Sequence, residues 1–194
     1  MAKILIVNNA APGITEFTRP LEKIVSAAGM EWVSVEYAEC PSFDFSTVDG
    51  VILSGSPQGN DIVEHHQSYF LWIKSFEKPV LGICAGHHIT GYLYGARLLR
   101  SEEPESGDSD VTIAKGDILF DGMPHQFKVK QMHNDSITLP QDFKLLAFSE
   151  ICKNQIMKHR NKPLYTCQFH PEFYNHNLIV NFLKLAKPAG NTSG

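Results

Sequence analysis

Pro79-Val80-Leu81-Gly82-Ile83-Cys84-Ala85-Gly86-His87-His88-Ile89-Thr90-Gly91-Tyr92-Leu93-Tyr94 is the stretch on which the reading of this chain turns. A proline precedes a short apolar run, Val80 to Ile83, which reads as a buried strand. The run breaks at Cys84-Ala85-Gly86. It resumes with apolar residues at helical spacing: Ile89, Leu93 and Ala96. A strand that turns sharply into a helix with one reactive side chain at the turn is the geometry of a nucleophile elbow. Gly82 and Gly86 flank Cys84 at the places where a crowded turn has no room for a Cβ. The N-terminus of the following helix points at the sulfur and favours thiolate over thiol. An ordinary buried cysteine fits this stretch equally well, so the remainder of the chain has to decide.

Outward from the elbow, strand and helix patterns alternate over the N-terminal half. Lys3 to Val7 is a continuous apolar run, as expected of a central parallel strand covered on both faces. It ends in a loop, Asn8 to Gly13. Ile14 to Ala28 carries Phe17, Leu21, Ile24, Val25 and Ala28 near helical spacing, and Gly29 supplies a stop. Glu31 to Tyr37 alternates as a strand, Phe43 to Asp49 connects, and Val51 to Leu53 is a short buried strand running into the turn Ser54-Gly55-Ser56-Pro57. Asp61 to Phe76 reads as a helix. This alternation predicts an α/β fold: a doubly wound, mostly parallel open sheet with helices on both faces. In such sheets ligands bind beyond the carboxyl ends of the strands. Three loops leave those ends, Asn8 to Gly13, Ser54 to Gly59 and Cys84 to His88, and they are expected to converge on one crevice.

The C-terminal half differs. Ser101 to Asp110 is acidic and reads as a mobile surface loop. Short β-like runs follow at Val111–Ala114, Phe127–Met132, Lys144–Phe148, Gln155–Met157 and Leu164–Phe169, and they predict a mixed or antiparallel extension of the sheet. Asn175 to Leu185 is a final helix. The expected organisation is one domain over residues 1–187, with a flexible tail at 188–194.

Composition narrows the function. The chain has 194 residues, enough for one domain with a substantial core, and is 43% hydrophobic and 20% charged. A net charge of −4 offers no basic excess for nucleic acid. No apolar run approaches a membrane span. The four cysteines, Cys40, Cys84, Cys152 and Cys167, form neither a zinc framework nor a disulfide scaffold, so a reducing cytoplasm is the expected setting. His65–His66 and His87–His88 are adjacent pairs. Neighbouring residues on a helix are expected to point apart, so no metal site is expected. Phe70, Trp72 and Phe76 read as core, and Cys40, Cys152 and Cys167 as inert filler.

A base and its orienter stand at another strand end. Leu164 to Phe169 runs into His170-Pro171-Glu172. The proline fixes the backbone between a histidine and a carboxylate. His170 is placed to take a proton from Cys84, and Glu172 to orient the imidazole, the arrangement that covalent acyl transfer requires. Donors for an oxyanion are available from the backbone N–H of Ala85 and from that of Ser56 or Gly55.

These residues carry a resemblance. L-S-G-S-P at 53–57, G-I-C-A-G-H-H at 82–88 and Q-F-H-P-E at 168–172 resemble, in order and spacing, the motifs of the class I (triad) glutamine amidotransferases. The resemblance covers nearly the whole chain and implies a flavodoxin-like fold. It puts the family's catalytic triad on Cys84, His170 and Glu172, and its oxyanion donors on Ser56 and Ala85. Residues 145–173 are similar to stand-alone amidotransferase subunits of GMP synthase, and His133-Asn134-Asp135 resembles the His-x-Asp element of those subunits. The resemblance implies that Gly55, His88, His133 and Asp135 bind substrate, L-glutamine. It also implies that ammonia passes to a separate ATP-dependent synthetase subunit that aminates XMP. Neither G-x-x-x-x-G-K-[ST] nor G-x-G-x-x-G occurs, so ATP chemistry is expected to lie on that other polypeptide, and no cofactor is expected here. His88 departs from the family's glutamine in G-x-C-x-G-x-Q. That keeps one alternative open, a γ-glutamyl amide or peptide hydrolase using the same triad; a second is a catalytically weak regulatory homologue that retains the triad by descent.

Overall fold

A computed structural model describes residues 1–186. The tail expected at 188–194 lies outside the described residues. Strand β1 (Lys3–Asn8) lies in a nine-stranded sheet whose order is β2-β1-β3-β4-β11-β10-β9-β6-β7. β2 (Glu31–Glu36), β3 (Gly50–Leu53), β4 (Val80–Ile83) and β11 (Leu164–Cys167) run parallel in its first half. Beyond β11 every neighbour is antiparallel: β10 (Ile156–His159), β9 (Phe143–Phe148), β6 (Glu105–Ile113) and β7 (Gln126–His133). The mixed extension expected from the sequence is therefore present. β5 (Leu98–Leu99) and β8 (Ser136–Ile137) pair in a separate two-stranded sheet.

The alternation of side chains along β1 divides the core in two. Ile4 and Ile6 face α1 (Thr18–Ala27) and α5 (His176–Leu185), where Leu21, Val25, Phe182 and Leu183 close over them. Leu5 and Val7 face the other way, toward Phe70, Ile73 and Ile89. Ile89 belongs to α3 (Ala85–Leu93), and Pro171–Tyr174 forms the one-turn α4. Because both faces are covered, β3, β4 and β11 are buried along their whole length, and β1 from Ile4 onward. Phe70 is in the core as expected, with Trp72 and Phe76 packed at its margin.

Three expectations need correction. The helix expected over Asp61 to Phe76 is mostly 3₁₀: Gly59–Ile62 and Gln67–Lys74 are 3₁₀, and only α2 (Val63–His66) is α-helical. Winding at three residues per turn aligns positions i and i+3, which sets Phe70 and Ile73 together in the core. The acidic segment Ser101 to Asp110 is not a surface loop beyond its first residues. Glu105 onward is strand β6, paired along its length with β7. Its acids meet bases across the ladder, Asp108 near Lys130 at 3.9 Å and Asp110 near Lys128 at 4.0 Å. His65 and His66 do not point apart either. Their Nδ1 atoms lie 3.0 Å from each other, because His66 turns inward to stack on Tyr37.

Candidate active site

β4 delivers Cys84 to the carboxyl edge of the sheet, and α3 starts at the next residue. Cys84 has φ 47° and ψ −97°, a left-handed conformation that costs a non-glycine residue about 1–3 kcal/mol. The surroundings enforce it. Cys84 N–H donates to the Cys167 carbonyl at 2.8 Å, and the Cys84 carbonyl accepts from His88 N–H at 3.0 Å. Both flanking glycines are required by close approach. A Cβ on Gly82 would lie 2.6 Å from the Gly86 carbonyl oxygen, and one on Gly86 would lie 2.7 Å from Leu53 Cβ. The strand thus packs directly on the helix it feeds, and the bend between them falls on the cysteine.

The adjacent strand, β11, leads to His170, the candidate base. Three residues past its end, His170 is fixed by its own N–H on the Lys130 carbonyl at 3.0 Å, and Pro171 opens α4. The His170 Nδ1–H donates to Glu172 Oε1 at 2.7 Å, with both residues buried. That bond leaves Nε2 for the cysteine. Burial acts to lower the His170 pKa. The charge and hydrogen bond of Cys84 and the bond and charge of Glu172 overcome it and raise the pKa to about 10. A protonated imidazole beside a cysteine sulfur is what a thiolate nucleophile requires.

The turn after β3 closes the site. Asn9 braces it: its backbone N–H donates to Ser54 Oγ at 3.1 Å and its Nδ2 to the Ser54 carbonyl at 2.7 Å. Gly55 lies so near the base that a Cβ there would sit 2.6 Å from His170 Cε1. Ser56, Cys84, His88, His133, Asp135 and His170 all line one cavity of about 410 Å³. Two of the three loops expected to converge, Ser54–Gly59 and Cys84–His88, do so. The first loop does not reach this cavity. Ala11 and Pro12 line a neighbouring one with His65 and His66, and Glu16 and Phe17 enter the site in its place. Phe17 packs on His170 with ring centroids 5.0 Å apart, a contact with no signal in the local pattern.

The remaining residues divide. The His133 Nδ1–H donates to the Asp135 carbonyl at 3.0 Å, and Asp135 Oδ1 accepts from Ser101 N–H at 2.9 Å. His88 Nε2–H donates to Gln168 Oε1 at 2.7 Å, a pairing the motif reading did not assign. Burial pushes the thiol pKa of Cys40 up to about 12 and also raises those of Cys152 and Cys167. The fold brings Glu105, His133 and Cys152 together, with candidate ligand atoms within 4.8 Å of one another. Glu105 Oε2, however, already accepts from Gln131, Ser149 and Gln155 at 3.2, 3.0 and 2.5 Å. Those donors fit a hydrogen-bonded carboxylate and leave little room for a cation.

Residues 15–184 match the family model described as glutamine amidotransferase class-I. The chain belongs to that family. The A subunit of the glutamine-hydrolyzing GMP synthase of Archaeoglobus fulgidus is 30% identical over 190 residues, covering 95% of this chain and 99% of that one. The corresponding protein of Methanococcus aeolicus is 33% identical over 187 residues, covering 94% and 96%. A crystal structure from Thermoplasma acidophilum, described as the A subunit of a GMP synthase, superposes with TM-score 0.87 at 29% identity, covering 96% and 94% of the two chains. A glutamine amidotransferase from Thermotoga maritima shares the fold, with TM-score 0.80 at 17% identity over 96% and 99%. As a class I glutamine amidotransferase the chain is an enzyme. No helix among its described residues is long and apolar enough to cross a membrane.

Proposed function

We propose that this chain hydrolyses the side-chain amide of L-glutamine through Cys84, His170 and Glu172, and passes the ammonia to a separate ATP-dependent synthetase subunit. The observation that carries the reading is the buried His170–Glu172 pair at 2.7 Å, facing a cysteine on a strained elbow. The Cys84 thiolate attacks the amide carbon. The tetrahedral oxyanion takes hydrogen bonds from the backbone N–H groups of Ala85, which heads α3, and of Ser56. His170, oriented by Glu172, protonates the departing ammonia. It then activates the water that releases glutamate from the thioester. Gly55 admits the His170 ring, and His88, His133 and Asp135 contact the substrate from the cavity wall.

The relatives, named as the A subunits of GMP synthases, support a synthetase partner, and the absence of a phosphate-loop motif in the sequence agrees with it. The proposed setting is the cytoplasm. His88, in place of the family's glutamine, favours one second reading: the same triad acting on γ-glutamyl amides or peptides. The test is glutamate release from L-glutamine by wild type and by Cys84→Ala, with and without added synthetase. Cys84→Ala is expected to lose at least about 10³-fold in kcat. Activity that survives the substitution would remove the nucleophile assignment. Faster turnover of γ-glutamyl peptides than of L-glutamine would select the second reading.

A further inference from the structure

Asn9 stands just past β1 and is fully buried. It meets the turn that follows β3. The parallel ladder between these two strands closes with Ser54 N–H donating to the Val7 carbonyl at 3.0 Å. One residue further, side chains take over. Asn9 N–H donates to Ser54 Oγ at 3.1 Å, and Asn9 Nδ2–H to the Ser54 carbonyl at 2.7 Å. A hydroxyl can accept and donate at once, and Ser54 Oγ–H donates onward to the Gly55 carbonyl at 2.9 Å. Apart from Val7, no other residue outside the turn hydrogen-bonds to Ser54 or Gly55 among the described residues.

These bonds fix two successive peptide planes. In a planar trans peptide the N–H points opposite to the C=O it follows. Holding the Ser54 carbonyl therefore sets the Gly55 N–H, and holding the Gly55 carbonyl sets the Ser56 N–H. Neither N–H has a backbone acceptor among the described residues. Ser56 lines the same cavity as Cys84. Asn9 Oδ1, by contrast, is buried with no partner among the described residues. An orphaned buried acceptor costs stability, so what this side chain contributes lies in its donors.

We propose that Asn9 is a positioning residue for the oxyanion donor. Through Ser54 it sets the direction of the Ser56 N–H, and so acts on the tetrahedral intermediate, not on the nucleophile or on substrate affinity. The proposal rests on the glutamine-hydrolysis reading, in which the Ser56 N–H is one of two donors, and adds what aims that donor. Hydrogen bonds weaken steeply below an angle of about 120°. A peptide plane free to turn would thus lose the bond without leaving the site.

Three readouts compare wild type with Asn9→Ala, with synthetase added. The kcat for glutamate release from L-glutamine is expected to fall about 10²-fold, the lower end for losing one oxyanion donor. Alkylation of Cys84 by iodoacetamide is expected to keep its rate, with Cys84→Ala as the blank. There the thiolate displaces iodide from a saturated carbon, and no oxyanion forms. Calorimetric affinity for L-glutamine in a Cys84→Ala background is expected to stay the same. An unchanged kcat overturns the proposal. So does an equal loss in the alkylation rate or in affinity, since either would mean that Asn9 only supports the site as a whole. If Asn9→Ala does not fold, Ser54→Ala carries the test, because it removes the hydroxyl between Asn9 N–H and the Gly55 carbonyl. It must lower kcat and spare alkylation, or the proposal falls. A wild type that releases no glutamate sinks the glutaminase reading alone. Turnover of p-nitrophenyl acetate then decides, since acyl transfer from this ester also passes through an oxyanion but needs no recognition of glutamine. It must fall about 10²-fold in Asn9→Ala, and equal turnover overturns the role of Asn9. A wild type inactive on both compounds sinks both.

Discussion

Gly55 shows how tightly the site is set at the scale of single residues. Its φ is not positive, so the turn does not need glycine for backbone reasons. Glycine is needed because a Cβ would stand 2.6 Å from His170 Cε1. Gly55→Ala is therefore expected to push the imidazole off its line between Cys84 and Glu172. On the proposed mechanism, displacing this ring by that much costs about 10²-fold in rate, and overpacking adds about 1–3 kcal/mol of destabilisation. Steady-state glutamate release and a thermal melt measure both effects, and an unchanged kcat would show that the ring has room to spare. The proposed triad residues are legible in the sequence. They sit at strand ends beside glycine and proline, where local chemistry marks them. The reason for Gly55 is not, because it depends on a ring 115 residues away in the chain (55 to 170). Gln168 is hidden for a similar cause: it stands inside a recognisable motif, but its partner is on another element.

At the scale of elements, the elbow is a strand and helix in direct backbone contact. Gly82→Ala would put a Cβ 2.6 Å from the Gly86 carbonyl oxygen and 3.1 Å from Thr166 Cγ2. The first obstacle is backbone and cannot rotate aside, so β4 and α3 must separate. Destabilisation of about 1–3 kcal/mol or more is expected, visible as a lower urea midpoint with an unchanged slope. Wild-type stability would mean that the two elements are free to slide. This packing is legible in two glycines spaced evenly about a cysteine. Strand β6 is not. Read alone, Ser101 to Asp110 has the composition of a solvated loop, because its outer face carries acids. What makes it a strand is the ladder with β7, whose Lys128 and Lys130 stand opposite Asp110 and Asp108. The 3₁₀ winding of Gln67–Lys74 likewise follows from what Phe70 and Ile73 pack against, more than from any local signal.

For the whole molecule, the buried histidines pull stability in opposite directions with pH. His87 and His88 are buried as neutral rings and His66 nearly so. Burial, the largest cause in each, lowers His66 and His88 to about 4 and His87 well below its ordinary value. A histidine depressed on folding binds its proton more readily in the unfolded chain. Its contribution is therefore complete above about 6.5 and is lost as pH falls from there toward 4. His170 behaves in reverse. Raised to about 10, it contributes fully below its ordinary value and loses that contribution as pH rises through 10. The two limbs place the histidine-dependent maximum near pH 6.5. For His88 the acid limb amounts to about 3 kcal/mol, to order of magnitude, between pH 6.5 and 4. His88→Gln removes the titrating ring while keeping a polar side chain toward Gln168. Urea midpoints measured from pH 4 to 8 should fall on the acid side in wild type and fall distinctly less in His88→Gln. Parallel curves for the two proteins would mean that His88 is not held neutral by the fold.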